Sequence, residues 1–324
     1  MSVVDRVRAA ASGAERRAAD IDPSRLLGAL AAIQLLLTVV AGLAIGRSGS
    51  IGITVVEVGF LMPVALVVVY ETGRRLGGRS FALWAAVVWI ALPYAGLVYA
   101  NHSFRHDYAH GFLRRVLGLA YDRGAVAMVC FAVAGFFALR AIEVPRRIDL
   151  GATVAAAAVG ASFAPRAALA ALAPLLGLLL ARRVKEAVRI AVPLLILLGA
   201  VGGAVAVGLI SGPFVRFGLH APAETLSSLS EKFWSGRVLE WLAIAGVVGA
   251  MRGNRAAGVM LGFAAGAAFM SVHGETLPVA RNAALLYALL PAWPAVALTV
   301  ASVPLLWPRR RRVARPARRI AVES

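Results

Sequence analysis

The sequence predicts an all-α fold, a polytopic bundle of about ten transmembrane helices with both termini in the cytoplasm. Hydrophobic residues make up 60% of the 324-residue chain, and the mean hydropathy is +0.79. Soluble domains are only about 45–50% apolar, so one soluble core cannot bury these side chains. The apolar residues also occur in runs of about 15–25, close to the length of a helix that crosses a bilayer. Backbone in lipid must satisfy its own hydrogen bonds, and such continuous runs favour helices over barrel strands.

The apolar runs divide the chain into a cytoplasmic N-terminal segment (1–25), a transmembrane domain (26–307) and a basic cytoplasmic tail (308–324). The predicted spans are residues 26–45, 52–70, 80–100, 124–142, 149–164, 167–181, 190–210, 238–251, 256–272 and 282–306. The fifth and sixth spans form one stretch that only Pro165 and Arg166 interrupt. As a single helix it would be about 48 Å long at about 1.5 Å per residue, which exceeds the bilayer, so we divide it there. The first span is expected to be an uncleaved signal anchor.

The distribution of basic residues supports this topology. The predicted cytoplasmic segments, with the adjoining span ends, contain 24 of the 34 Lys and Arg residues, and the outer segments contain the other 10 (34 − 24). Cytoplasmic loops of membrane proteins are enriched in Lys and Arg. The net charge of +18 does not indicate a nucleic-acid partner, because the arginines separate apolar runs instead of forming a basic domain. We therefore expect a multi-pass protein of the cell membrane.

All five histidines fall on the predicted outer side, where the two longest loops are 101–123 and 211–237. Three of them, His102, His106 and His110, are spaced by four residues and would share one face of a helix. This clustering of titratable groups makes the outer face the first place to look for a functional site.

Two interpretations of the histidine cluster remain open. Histidines four residues apart can ligate one metal ion, and Asp107 would complete the set. Alternatively, the segment is an interfacial loop that contacts substrate through Arg105 and His106. In that case the aromatic residues of the loop anchor the loop at the level of the lipid headgroups. These residues are Phe104, Tyr108 and Phe112. We prefer the second interpretation and expect no metal and no other cofactor.

Three acids are candidates for catalysis, namely Asp122, Asp107 and Glu57, in that order. Asp122 precedes the fourth span, where it would act as a base or cap the helix N-terminus. Glu57 lies about six residues into the second span, and ionisable residues within a membrane are functional candidates by default. The simpler alternative for Glu57 is an ion pair with Arg47 or Arg281.

Two arginines are candidates for binding phosphate. Arg166 lies between two short spans, where a charge is expected below the headgroup level, and its guanidinium can hold a phosphate through two hydrogen bonds. The alternative is that Arg166 extends to the headgroups. Arg281 would bind phosphate or pair with Glu275. The chain carries no motif of P-loop nucleotide-binding proteins, serine hydrolases or zinc peptidases.

Several short motifs resemble, in order and spacing, the core of a known membrane family. They are residues 60–79 followed by IALP at 90–93, GLAYD at 118–122, GASFAPR at 160–166, LLARR at 179–183, FWSGRVLEW at 233–241 and LPAWP at 290–294. Together they resemble the polytopic GT-C glycosyltransferases, the group that includes the protein mannosyltransferases and the lipid A aminoarabinose transferases. The resemblance extends over about residues 55–307.

The resemblance implies a polyprenyl-phosphate-linked sugar as donor, a reaction on the non-cytoplasmic face, and a catalytic acid in a large outer loop after the first span. In this chain that loop is residues 46–51, which contain no acid, and Glu57 is the nearest one. We therefore predict a divergent glycosyltransferase or a non-catalytic relative that binds polyprenyl-phosphate sugar or another anionic lipid. The predicted lipid-phosphate or substrate contacts are Arg166, Arg281, Arg105 and His106. A small-solute or lipid transporter and a structural membrane partner are the alternatives.

Overall fold

The structure, a computed structural model, describes residues 22–48, 50–209, 231–232, 238–270, 286 and 289–307. Within these residues the chain is helical, and its one β-type contact is an isolated parallel bridge between Ser48 and Ala120. The predicted all-α fold is therefore confirmed.

Five helices are long and apolar enough to cross a membrane in the part of the chain that the structure describes. They are α1 (Pro23–Ile45), α2 (Ile51–Gly77), α3 (Arg79–Tyr99), α5 (Arg123–Glu143) and α8 (Val184–Ala206). Between α3 and α5, residues 102–116 form α4, built from the helical segments His102–Asp107, Tyr108–Leu113 and Arg114–Val116. The shorter helices are α6 (Arg147–Phe163), α7 (Ala173–Leu180), α9 (Val238–Gly253), α10 (Arg255–Met270) and α11 (Trp293–Ala301).

The outward-facing surface of the long helices is apolar. On α1, Leu43 is 83% exposed and Leu36 is 63% exposed, and on α8 Ile196 is 65% exposed. Water would penalise such surfaces, whereas lipid chains are as apolar as leucine. The bundle therefore has the surface of a membrane protein.

Helix starts follow local sequence signals. Asp22, Ser50 and Asp122 each cap a helix N-terminus, and each side-chain oxygen accepts a hydrogen bond from a backbone N–H of the first turn. The turn between α2 and α3 needs Gly78, whose φ of +83° is rarely adopted by other residues.

The predicted division between the fifth and sixth spans is confirmed as a helix boundary. α6 ends at Phe163, Ala164 leaves the helical conformation, and the 3₁₀ segment Pro165–Leu172 leads into α7. Pro165 stands at the first position of that segment, where its missing N–H costs nothing.

α2 contains one π-helical turn, Glu57–Leu61, in which the N–H of Met62 donates to the carbonyl of Glu57. Pro63 follows directly and has no N–H, so it cannot donate to the carbonyl of Gly59, four residues earlier. The widened turn therefore coincides with a break in the regular hydrogen-bond ladder of the helix.

Helices at the C-terminal side of the bundle approach closely through glycines. A Cβ atom added at Gly246 of α9 would overlap the carbonyl of Thr299 on α11, and one at Gly249 would overlap the carbonyl of Ser302. Small residues allow such close backbone packing in membranes, where the hydrophobic effect does not drive helices together.

The helix ends gather into two polar regions. We call the first the histidine end. It contains residues 46–48, 50 and 100–122, joined by the hydrogen bond from Ser48 N to Leu119 O (3.0 Å). Lys232 also belongs to the histidine end, because its carbonyl accepts a hydrogen bond from the backbone N–H of Asn101 (2.8 Å).

We call the opposite region the arginine end. It contains the ends of α2, α5 and α9, and three contacts hold it together. Arg75 pairs with Glu143, Arg183 donates two hydrogen bonds to the carbonyl of Ile142 (3.1 and 3.2 Å), and Gly253 packs against the carbonyl of Leu76. Its cations also lie over aromatic rings, since Arg75 is 5.3 Å from the ring centre of Phe136.

Candidate functional site

Glu57 of α2 lies beside the histidine end, and its carboxyl group is buried. Its side chain is only 2% exposed, and neither carboxyl oxygen has a hydrogen-bond partner among the residues that the structure describes. The residue opens the π-helical turn of α2, a distortion that often marks functional sites. A buried carboxyl group without partners is costly, which makes Glu57 a candidate functional residue.

Gly118 covers Glu57 from the loop between α4 and α5. A Cβ atom at Gly118 would lie 2.9 Å from the Cβ of Glu57, and the backbone there has a φ of +72°. Two properties of this position therefore require glycine, namely the positive φ angle and the close approach of the two backbones. The loop closes over Glu57 because no side chain separates the two backbones.

Asp122 lies beside Glu57 but is already engaged. Its Oδ1 accepts a hydrogen bond from the N–H of Gly124 (2.6 Å), and its Oδ2 pairs with Nε of Arg115 at 2.9 Å. Its backbone N–H faces the Glu57 carboxyl group without completing a hydrogen bond. The predicted N-cap at Asp122 is thus present, and both of its oxygens have partners, whereas those of Glu57 do not.

The aromatic residues of α4 are in the core and do not anchor a loop at the membrane surface, so that part of the interfacial interpretation is wrong. Phe104 is 1% exposed, Tyr108 2% and Phe112 0%. They recur every fourth residue, which places them on one helix face that packs onto the bundle. Phe112 meets Trp293 of α11 edge to face, with ring centres 5.0 Å apart.

The opposite face of α4 carries the polar residues predicted to contact substrate. Arg105, His106 and Asp107 are exposed there, and the rings of His106 and His110 are 4.3 Å apart. His102 is exposed one turn earlier. Among the described residues, no three histidine, cysteine or acidic side chains converge as a metal site would require.

One turn of α4 caps the end of α1. The guanidinium of Arg114 donates to the carbonyl of Ile45, the last residue of α1. A cation at a helix C-terminus is favoured by the helix dipole. Partial burial, Arg114 and His106 together hold the pKa of His110 below its ordinary value, while the Ile45 carbonyl acts in the opposite direction.

The two predicted phosphate-binding arginines are not brought to this cluster by any described contact. Arg166 is exposed at the start of the 3₁₀ segment, and it forms no ion pair with the acids in the described ranges. Arg281 lies outside the described residues, as does most of the loop 211–237. The structure therefore joins Glu57 with Asp122, whereas Arg166 lies on the same side of the bundle without a described ion pair to either acid.

Sequence reasoning missed two residues that shape this site, Arg115 and Gly118. Arg115 is one of two adjacent arginines in a polar loop, and nothing in the sequence marks it as the partner of Asp122. Gly118 precedes Asp122 by four residues, and its contact with Glu57 is tertiary. Such contacts become visible only when the loop is seen folded onto α2.

Comparison of the chain with protein-family models, with curated proteins and with solved structures finds no match.

Proposed function

We propose that this multi-pass membrane protein binds a polyprenyl-phosphate-linked sugar, or a related anionic lipid, at the histidine end and transfers the sugar there. The observation that carries the proposal is the buried Glu57 carboxyl group without hydrogen-bond partners, next to the Arg115–Asp122 pair. Acids within a membrane are rare and functional by default. The sequence motifs that resemble GT-C glycosyltransferases point to the same chemistry.

The topology proposed with this function has ten spans and both termini in the cytoplasm. The ten are α1, α2, α3, α5, α6, the segment Pro165–Leu180, α8, α9, α10 and α11 with its flanking turns. The arginine end would then face the cytoplasm, as the enrichment of positive charge in cytoplasmic loops requires, and the histidine end would face the donor lipid from outside.

In the proposed reaction a hydroxyl group of the acceptor attacks the anomeric carbon of the sugar. The new bond forms as the bond from that carbon to the lipid phosphate oxygen breaks, and the phosphate leaves with the electron pair. A carboxylate accepts the hydroxyl proton. Glu57 is the preferred proton acceptor, because the oxygens of Asp122 are engaged and Asp107 is exposed on α4.

Cationic side chains at the same end would hold the phosphate. Arg105 and His106 are on the exposed face of α4, and Arg166 is exposed at the end of α6. We include Arg281 in this set on the sequence alone. A guanidinium remains charged at all working pH values and matches phosphate oxygens in pairs, so these residues would stabilise the charge on the leaving group.

The test separates binding from transfer. Purified protein is incubated with polyprenyl phosphate, and retained lipid is measured by native mass spectrometry. We expect retention to fall from wild type to Arg166→Lys to Arg166→Gln, because Lys keeps the charge but loses the paired hydrogen bonds. Glu71→Gln at the arginine end is the matched control, and it should retain lipid as the wild type does.

Transfer is measured as release of radiolabelled sugar from a panel of polyprenyl-phosphate sugars. Glu57→Gln should retain lipid and lose release by at least about a hundredfold, the scale of a lost proton acceptor. Retention of lipid without turnover by the wild type would assign the non-catalytic binding role instead. Absence of lipid retention by the wild type would overturn the proposal, and the transporter and structural alternatives would take its place.

A further inference from the structure

In the middle of the first helix, two polar side chains face the interior of the bundle. Of the 23 residues of α1, the two that are buried are Gln34 and Thr38, whereas the neighbouring residues 35–37, 39 and 40 are exposed leucines and valines. The pair is spaced by four residues and so lies on one face of the helix. Buried Gln and Thr side chains on membrane helices form hydrogen bonds with groups that face them, so the partners of this polar face are worth locating.

This polar face lines a cavity of about 180 Å³ between α1 and the π-helical turn of α2. Most of its wall is apolar, and the polar side chains on it are those of Gln34 and Thr38. The lining residues are Ala31, Ala32, Gln34, Leu35, Thr38, Val58, Gly59, Met62 and Pro63. A cavity of this size is much larger than the roughly 10–15 Å³ that one water needs.

The cavity wall includes one buried hydrogen-bond acceptor without a partner among the described residues. Gln34 is 8% exposed, and its Oε1 has no hydrogen-bond partner among the described residues. Thr38 lies within reach of the Tyr94 hydroxyl. An unpaired buried acceptor is penalised in a membrane more than in water, so a donor from outside the described residues would be favoured here.

We propose that this cavity is a binding site for a neutral lipid alcohol, whose hydroxyl donates to Gln34 Oε1 and whose hydrocarbon chain contacts the apolar wall. A neutral ligand is favoured because no charged side chain lines the cavity. A cluster of waters fits less well, since each water needs two to four polar partners and the wall is mostly apolar. The site is independent of the sugar-transfer proposal.

The experiment uses a photoreactive octanol that carries a diazirine, added to the full-length protein in lipid nanodiscs. Labelling is quantified on the tryptic peptide 26–47, which contains Gln34 and Thr38. Saturable labelling is expected, and excess octanol should compete while octane should not. Competition by octane equal to that by octanol would show that the cavity holds only hydrocarbon and would overturn the proposal.

Two variants localise the site. Gln34→Leu keeps the volume and removes the acceptor, so half-saturation should need about fivefold more probe, the equivalent of one hydrogen bond. Gly59→Leu fills the cavity, and saturable labelling should be lost. Its matched control is Gly52→Leu on the same helix, because both glycines have open space at the Cβ position but only Gly59 lines the cavity.

The outcomes are distinct even if one variant folds poorly. Folding of each variant is checked by size-exclusion chromatography before labelling. Equal labelling in the wild type, Gln34→Leu and Gly59→Leu would show that the probe partitions into lipid around α1 without a site. Loss of labelling in both Gly52→Leu and Gly59→Leu would show that any leucine added on α2 disturbs the labelling. Either this result or equal labelling of the three proteins would overturn the proposal.

Discussion

The hydroxyl of Tyr108 on α4 donates a hydrogen bond of 2.7 Å to the carbonyl of Pro93 within α3. Gly96, one turn later on α3, makes room for the ring, since a Cβ atom there would overlap the Tyr108 hydroxyl. This contact fixes α4 against the bundle and so holds the loop that covers Glu57. The position of the candidate site thus depends on a glycine and a tyrosine that do not belong to it.

We expect Gly96→Ala to destabilise the protein by about 1–3 kcal/mol, because the added methyl group must displace a packed ring. Tyr108→Phe should cost about 1 kcal/mol, the contribution of one buried hydrogen bond. Thermal unfolding in detergent measures both. The control is Gly199→Ala on α8, where the Cβ position is open. A Gly96→Ala protein as stable as Gly199→Ala would contradict this packing.

Asp122 supplies two separable interactions, a helix cap and an ion pair with Arg115. Asp122→Asn keeps an oxygen for the N–H of Gly124 and loses the charge, whereas Asp122→Ala loses both. We therefore expect Asp122→Ala to cost about 1–2 kcal/mol. Asp122→Asn should cost under about 1 kcal/mol, because the ion pair is partly exposed. Equal destabilisation by the two variants would show that the charge, not the cap, dominates.

The lowered pKa of His110 predicts a pH dependence. The protein disfavours the charged form, so His110 should titrate below the ordinary value of 6.5. Stability from this group is then fully present above about pH 6.5 and is lost as the pH falls through the folded-state pKa. NMR of ¹³C-labelled histidine, assigned with His110→Ala, measures the midpoint. Arg114→Gln should raise it, since Arg114 is the second cause of the shift after burial, and an unchanged midpoint would exclude that cause.

The helical class and some helix boundaries were predictable because they depend on local signals. Other ends differ from the prediction, since α2 continues to Gly77 instead of ending at 70 and α8 begins at Val184 instead of 190. The apolar runs, the cap at Asp122 and the break at Pro165 are each set by a few neighbouring residues, and the structure confirms them. The location of Phe104, Tyr108 and Phe112 was not predictable, because a spacing of four residues indicates a face without saying what covers it.

The candidate site was predictable only in part. Glu57 and Asp122 were chosen as single acids, and the structure brings them together through the loop that carries Gly118. That arrangement depends on tertiary contacts far apart in the chain. The polar pair Gln34 and Thr38 did carry a sequence signal, since two polar residues four apart interrupt an otherwise apolar run.

The proposed orientation of the bundle is based on the charge at its two ends. Among the described residues, 13 Lys and Arg residues lie at or near the arginine end and 7 lie at or near the histidine end. The arginine end carries Arg25, Arg74, Arg75, Arg79, Arg140, Arg146, Arg147, Arg182, Arg183, Lys185, Arg189, Arg252 and Arg255, and the histidine end carries Arg47, Arg105, Arg114, Arg115, Arg123, Arg166 and Lys232. Positive charge in short loops determines which side remains cytoplasmic, so the arginine end is expected inside.

Single cysteines test this orientation in a Cys130→Ala background. Ser103 on α4 and Val184 at the start of α8 are both exposed, one at each end of the bundle. We expect a membrane-impermeant thiol reagent to label Ser103→Cys in intact cells, and to label Val184→Cys only after the cells are permeabilised. The Cys130→Ala protein without added cysteines gives the background. Labelling of Val184→Cys alone in intact cells would show that the bundle has the opposite orientation in the membrane. The histidine end would then face the cytoplasm, and a sugar donor on the outer face would be out of reach of Glu57.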